Sequence, residues 1–585
     1  MEKVKIFLKR NYIYLIMLAL VAFRIILGYM IGAAWYGVSE VYDDAAMING
    51  LSLERLTNPD HLSLIKDMSY TLFLGFSAIT NLPYTIVLSA FWVLAAIIVW
   101  LAVGKMTKNK WTKLFAFSYV LFLPIAFTAQ GGLRIYRNAI IPPFIIITLS
   151  LAFILIISLA KKEKLKSVVR NAVLTGLALA FTFFIKEDGI WLKASMLLIT
   201  AICVAIVLYR IVKEKKKKNS NKTKQAIIWI AVCLIPFGIL FVWDNVYRGV
   251  NHGIYGVYEI NTRTEASLGK FVEKIYKIDS PNRTEIVWAP YDAIQAAFKV
   301  SPTLKSHPEL LENIMTTPWY NGNIVENPIN RDFLTWVLRG AIVDSGLWTS
   351  EKDVNEIFKQ ANNELDEAFK KGELKKAEGR IQILASTGGY SWDEIKRGDI
   401  ARQIVMSLGD SLWFNNYNIG ISESDIAHAA NDSQSDFDRV NKVLHMGGSL
   451  NTINQQKQII AKNIIHGIMW VYRIINTGLI IALFAFIIKE IIVLIQILRK
   501  KRTCKKADII NLSCAFASFV LFGMTIAYSF ATAWFFISPI DKMDPVIYNP
   551  DLFVFYRVGV PALLTLAFLP TMIGLERWIQ TGSKN

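Results

Sequence analysis

Long apolar runs alternate along this chain with short clusters of Lys and Arg. The first run, 11–31, follows a basic start, MEKVKIFLKR. A run of about 20 residues is enough for a helix to cross a bilayer and is long for the core of a signal peptide, so it predicts a retained anchor. Runs of sufficient length recur at 82–104, 112–130, 139–160, 171–186, 190–210, 226–243, 463–488, 509–537 and 554–575. The pattern predicts a polytopic α-helical membrane protein of about ten transmembrane helices. Residues 244–460, between the seventh and eighth runs, lose it and predict a mostly helical extracytoplasmic domain. The chain then divides into a membrane module at 1–243, this insert at 244–460, and a second membrane module at 461–585.

Helical spacing carries the prediction for the insert. Phe333, Trp336, Val337, Gly340 and Ala341 form one stripe across 331–346. Ser350 and Asp353 read as a capping box. Val354, Ile357, Phe358, Ala361, Leu365 and Ala368 then keep the period until Gly372 stops the helix. Core packing explains these stripes without any function.

Charge refines the picture. The chain of 585 residues is 54% hydrophobic yet has a formal net charge of +18. The insert holds 23 Lys+Arg and 29 Asp+Glu, a net of −6, so the membrane part carries +24. Basic clusters at 105–113, 161–170, 210–224 and 489–506 each follow an even-numbered run. By the positive-inside rule this predicts a multi-pass protein of the cytoplasmic membrane, both termini cytoplasmic and the insert outside. The charge therefore reports topology, and no nucleic-acid partner is expected. Lys215–Lys218 fit anionic lipid contact on the cytoplasmic side. The insert has no cysteine, and no CxxC or His–Cys cluster suggests zinc. GxxxxGK[ST], HExxH and GxSxG are absent from the sequence, which argues against P-loop, zincin and α/β-hydrolase chemistry.

The polar residues that invite chemistry all fall on the predicted outer side. Asp43 and Asp44, behind Tyr42 in the first outer loop, suit a general base or a divalent metal site; a loop with a helix N-cap is the plain alternative. The stretch 62–76 then reads as an interfacial helix. Arg134 and Arg137 flank Tyr136 at headgroup level and suit a phosphate, or serve as snorkelling anchors. Lys186, Glu187 and Asp188 with Gly189 make a tight charged hairpin. Asp541, Asp544, Tyr548, Asp551, Tyr556 and Arg557 occupy the last outer loop, where Arg557 suits a phosphate leaving group. Within the membrane runs, Arg24, His466 and Arg473 stand out. His61, His252, His307, His428 and His445 show no mutual metal spacing.

The first 210 residues or so resemble the GT-C superfamily of integral-membrane glycosyltransferases, such as protein O-mannosyltransferases and the aminoarabinose transferases of lipid A. The likeness rests on Asp43 and Asp44 after the first anchor, 70–74 (Tyr-Thr-Leu-Phe-Leu), and Asn81-Leu-Pro83 before the second run. A group of bacterial membrane proteins of obscure role is also similar in the Arg134–Arg137 turn, the 186–189 turn and the Trp336–Arg339 helix. The GT-C resemblance implies an inverting transfer of sugar from a polyprenyl-phosphate carrier to an extracytoplasmic acceptor: a cell-envelope glycan, a lipid or a protein. It implies Asp43 or Asp44 as catalytic base. Arg134, Arg137, Lys186 and Arg557 are candidates for the donor phosphate, and Glu187 and Asp188 for additional acidic groups. No cofactor is certain. A divalent metal, held by Asp43 and Asp44 if by any residues, is left open, because the family's second acidic motif is replaced here by arginines. The rivals are a membrane transporter or lipid flippase, and a non-catalytic envelope-assembly scaffold.

Overall fold

The computed structural model describes residues 2–35, 67–187, 189–214, 222–316, 322–383, 387–423, 434–499, 501, 503–540 and 554–582. Among them, nine helices are long and apolar enough to cross a membrane. They include Asn11–Ile31, Tyr84–Gly104, Ile141–Ala160, Trp191–Val212 and Gln456–Leu498. Their outward faces are apolar; Phe241 and Ile474 are 71% and 72% exposed. Water would not tolerate such a continuous apolar belt, and lipid does. The protein is a polytopic helical membrane protein.

The fifth expected run is a helix, Leu165–Phe183, but it is not among the nine. Lys166, Ser167, Arg170 and Asn171 in its first two turns lower its hydropathy. It is nonetheless packed between neighbours. At Gly176 a side chain would meet the Cα of Pro236 at 3.0 Å, so glycine lets the Lys222–Tyr255 helix lie close. Ahead of the second run, Ser69–Ile79 forms the short apolar helix that the 62–76 stretch predicts in part.

The third run differs most from expectation. Its α-helix, Lys110–Leu121, stops before Pro124. A 3₁₀ turn, Pro124–Phe127, and a π turn, Ala129–Leu133, follow. Proline cannot continue the hydrogen-bond ladder. The freed backbone groups are satisfied by the far end of the insert. Ala129 N–H donates to the Asn418 carbonyl at 3.1 Å, and Gly420 N–H donates to the Phe127 carbonyl at 3.0 Å. Such pairing is what irregular backbone among membrane helices requires.

The buried side chains divide accordingly. One apolar core runs through the membrane helices and takes in Leu412, Phe414, Tyr417, Leu444 and Leu450 from the insert. A second core belongs to 268–390, built on Leu268, Phe271, Trp288, Val337, Phe358 and Tyr390. Trp534 and Ile537, at the end of the Lys506–Phe535 helix, complete it. Trp288 and Phe535 rings meet at 5.4 Å, as do Tyr390 and Trp534. The insert is thus fastened to the end of that membrane helix.

Ser350 caps the Glu351–Lys371 helix, and Gly372 ends it in the left-handed region at φ 76°. The stripe at 331–346 is rotated from its predicted face. Leu334, Val337, Leu338, Ala341 and Ile342 are buried. Phe333 falls in a preceding 3₁₀ turn, and the Trp336 ring lies 5.8 Å from the Arg263 guanidinium.

Glu364 ties two insert helices together. Its carboxylate accepts hydrogen bonds from the Ser301 hydroxyl, the Thr303 hydroxyl at 2.6 Å and the Thr303 N–H at 3.1 Å. Burial alone would raise its pKa, but these bonds outweigh it and hold it below the ordinary 4.5. A depressed carboxyl pKa stabilises the fold above the unfolded value, and this is lost as pH falls through the folded value. Glu364→Ala is expected to lower the unfolding midpoint near pH 7, by the equivalent of about 1–3 kcal/mol. Thermal unfolding in detergent should show the gap between variant and parent narrowing as pH drops below 4.5.

Candidate functional site

Three distant stretches meet on the insert side of the bundle. The first, 133–138, emerges from the π turn. It forms a short bridge with the end of the first span: Ala34 N–H donates to the Leu133 carbonyl at 3.0 Å, and Ile135 N–H to the Ala34 carbonyl at 2.7 Å. Gly132 makes the turn possible. Any Cβ there would overlap the Ala126 backbone, whose Cα would lie 2.7 Å away. The second stretch is the 184–187 hairpin. The third is 554–557, which leads into the Val560–Gly582 helix.

Their side chains form a platform of cations and aromatics. Tyr136 and Phe555 stack with centroids 5.2 Å apart. The Arg134 guanidinium carbon lies 4.8 Å from the Tyr136 ring and 5.2 Å from Phe555. Lys186 Nζ is 5.5 Å from the Phe555 ring and 6.0 Å from Tyr556. Asn138 Nδ2 donates to the Phe555 carbonyl at 2.9 Å and joins two of the stretches. An aromatic face attracts a cation without neutralising it.

Arg137 and Arg557 are more deeply set, each 1% exposed. Arg137 donates to Glu187 Oε2 at 2.7 Å and to the Tyr136 hydroxyl at 2.7 Å. Glu187 is therefore the ion-pair partner of Arg137. Arg557 donates to Gln403 Oε1 at 2.9 Å, while Gln403 Nε2 donates to Asp399 and to the Phe536 carbonyl. Nearby Asp410 is pushed up by burial, against an Asn416 hydrogen bond and the Arg557 charge. Arg137 and Arg557 set the charge and shape of the site, and half-buried Arg134 and Lys186 front it.

Of the candidates from sequence, Arg134, Arg137, Lys186, Glu187, Tyr556 and Arg557 are brought together. Asp43, Asp44, Asp188, Asp541, Asp544, Tyr548 and Asp551 lie outside the described residues. Both described ends of the segment that holds Asp43 and Asp44 reach this site. Ala34 pairs beside Arg134, as above. Asp67, at the other end, accepts from Asn261 Nδ2 at 3.3 Å, and that amide also donates to Glu187 Oε1 at 3.1 Å.

The intramembrane suspects sit elsewhere. Arg24 is buried with its guanidinium 4.2 Å from the Phe127 ring. Arg473 donates to the Trp413 carbonyl at 2.7 Å and so caps the Ile400–Trp413 helix. The exposed ring of His466 meets the Lys462 carbonyl at 2.8 Å. Among the described residues, no group of three or more His, Cys, Asp or Glu is placed to hold a metal ion.

Sequence reasoning missed Phe555, Gln403, Asn261, Asp67 and Arg331. Buried Arg331 lies 5.2 Å from the Phe536 ring, which in turn meets Tyr556 at 4.5 Å. These residues come from separate elements, and no local spacing marks them. The chain matches no protein-family model, no curated protein and no solved structure.

Gly132→Ala is expected to displace the turn that carries Arg134 and to destabilise the protein by about 1–3 kcal/mol. Gly75→Ala, where nothing lies within 4 Å, is the control and should leave the midpoint unchanged or raised. Thermal unfolding of the two variants in detergent checks this.

Proposed function

We propose that the protein is an inverting glycosyltransferase that moves a sugar from a polyprenyl-phosphate carrier to an acceptor outside the cytoplasmic membrane. The observation that carries this reading is the gathering of Arg134, Lys186, Arg137 and Arg557 where the segment holding Asp43 and Asp44 begins and ends.

The chemistry fits these groups. Asp43 or Asp44 takes the proton of the acceptor hydroxyl. The hydroxyl oxygen forms a bond to the anomeric carbon from the face opposite the phosphate. The bond from that carbon to the phosphate oxygen breaks, and polyprenyl phosphate leaves with the electron pair. Arg134 and Lys186 meet the charge that develops on the leaving phosphate, and fixed cations in a sheltered site stabilise it strongly. The Arg137–Glu187 pair holds the hairpin that presents Lys186. The insert selects the acceptor.

Asp43→Asn and Asp44→Asn are to be assayed in membranes supplied with a lipid-phosphate sugar. The base is expected to be worth roughly two to four orders of magnitude in rate, so one variant should lose that much at normal expression. Full activity in both overturns the mechanism. Transport of substrate with no covalent product would instead favour a transporter, and unchanged envelope assembly in both would favour a scaffold.

A further inference from the structure

Arg24 has no part in the sugar transfer proposed above, and its surroundings leave its charge unmatched. It lies in the first span, about 10 Å by helical rise from the insert-side end at Ile31. The side chain is 1% exposed, and the Phe127 ring of the broken third span lies 4.2 Å from its guanidinium carbon. Its Nε has no hydrogen-bond partner, and among the described residues no carboxylate pairs with it. An uncompensated buried charge is costly, and one inside a membrane span marks a ligand or ion site by default.

The packing around it has the form of a cradle. A Cβ at Gly28 would overlap the Ser89 Oγ and lie 3.0 Å from Arg24 Nη1, so glycine makes room for the guanidinium beside the Tyr84–Gly104 helix. The Thr85 carbonyl beside Gly28 already receives the Ser89 hydroxyl at 2.7 Å. Tyr14 meets Trp100 while Gly28 meets Ser89, so the two helices run antiparallel. Arg24 and Trp92 therefore each lie about one turn inward from the Gly28–Ser89 contact, at the same depth. Trp92 is fully buried, and its Nε1 has no hydrogen-bond partner either.

Two unmatched donors at one depth suit an occupant that only accepts. Phosphate is such a group, and a guanidinium meets it through two parallel N–H bonds. The surroundings choose its carrier. Leu27, Leu88 and Phe127 are buried apolar neighbours in the sequence and packing of this region, while Phe23 and Ile26 turn outward to lipid. A free phosphate would have to shed its water here, whereas a phosphate on a hydrocarbon chain arrives from the bilayer with its chain still in lipid. We infer that Arg24 binds the phosphate of a membrane amphiphile between the first span, the Tyr84–Gly104 helix and the turn at Phe127.

The test uses the purified full chain in non-ionic detergent and three probes: dodecyl phosphate, dodecanol and inorganic phosphate. In calorimetric titration, dodecyl phosphate is expected to bind at least about tenfold more tightly than dodecanol, and Arg24→Met to lose at least about tenfold. The same loss is expected in a chain that already carries Arg134→Gln and Lys186→Gln, which separates this site from the proposed donor site. Arg24→Lys, which keeps a charge, should retain part of the affinity. Without probe, the unfolding midpoint of Arg24→Met should be unchanged or raised, because an apolar side chain replaces an unmatched charge. A lowered midpoint, or failure to fold, makes Arg24 a structural cation and overturns the inference. Inorganic phosphate binding that Arg24→Met abolishes supports the site with a soluble source; no binding of the free ion supports the lipid source. Equal binding of dodecyl phosphate and dodecanol, or dodecyl phosphate affinity unchanged in Arg24→Met, overturns the inference.

Discussion

The Arg137 guanidinium is almost fully buried at the insert side of the bundle, where Glu187 and Tyr136 accept its hydrogen bonds. Removing one partner of a buried pair strands the other charge, at a cost of about 3–5 kcal/mol. That penalty fixes more than one contact. Glu187 is bound in turn by Asn261, which also donates to Asp67. The pair therefore locks together the 133–138 turn, the 184–187 hairpin, the start of the insert and the chain entering the Ser69–Ile79 helix.

A second constraint is the backbone of the broken third span. Proline ends its helix early, and Gly131 and Gly132 let the following turn fold back on itself. The open N–H and C=O groups are closed by 418–420, near the end of the insert. The insert is thus part of the membrane core at one end and carries its own core at the other. Trp534 and Ile537 join that second core to the bundle, and Gln403 links the junction to Arg557.

Much of the architecture was legible in the sequence because bilayer thickness imposes a length on each apolar run. The helix ends at Ser350 and Gly372 were legible because capping is a local matter of a few residues. The break at Pro124 was not, since the run 112–130 is largely apolar and its partner at 418–420 lies far along the chain. The Trp336 stripe misled because an arginine, not a core, meets that ring. At the candidate site, charge and position singled out Arg134, Arg137, Lys186, Glu187 and Arg557. Their shared platform of Phe555 and Tyr136 depends on tertiary contacts that no spacing encodes.

Under the proposed function, Arg134 and Lys186 are the groups that face the donor phosphate. The most direct measurement is a cryo-electron microscopy map of the protein with polyprenyl phosphate bound. The account predicts phosphate density within hydrogen-bonding reach of Lys186 and Arg134, above the Phe555 ring. Phosphate density at a site removed from both side chains would contradict it.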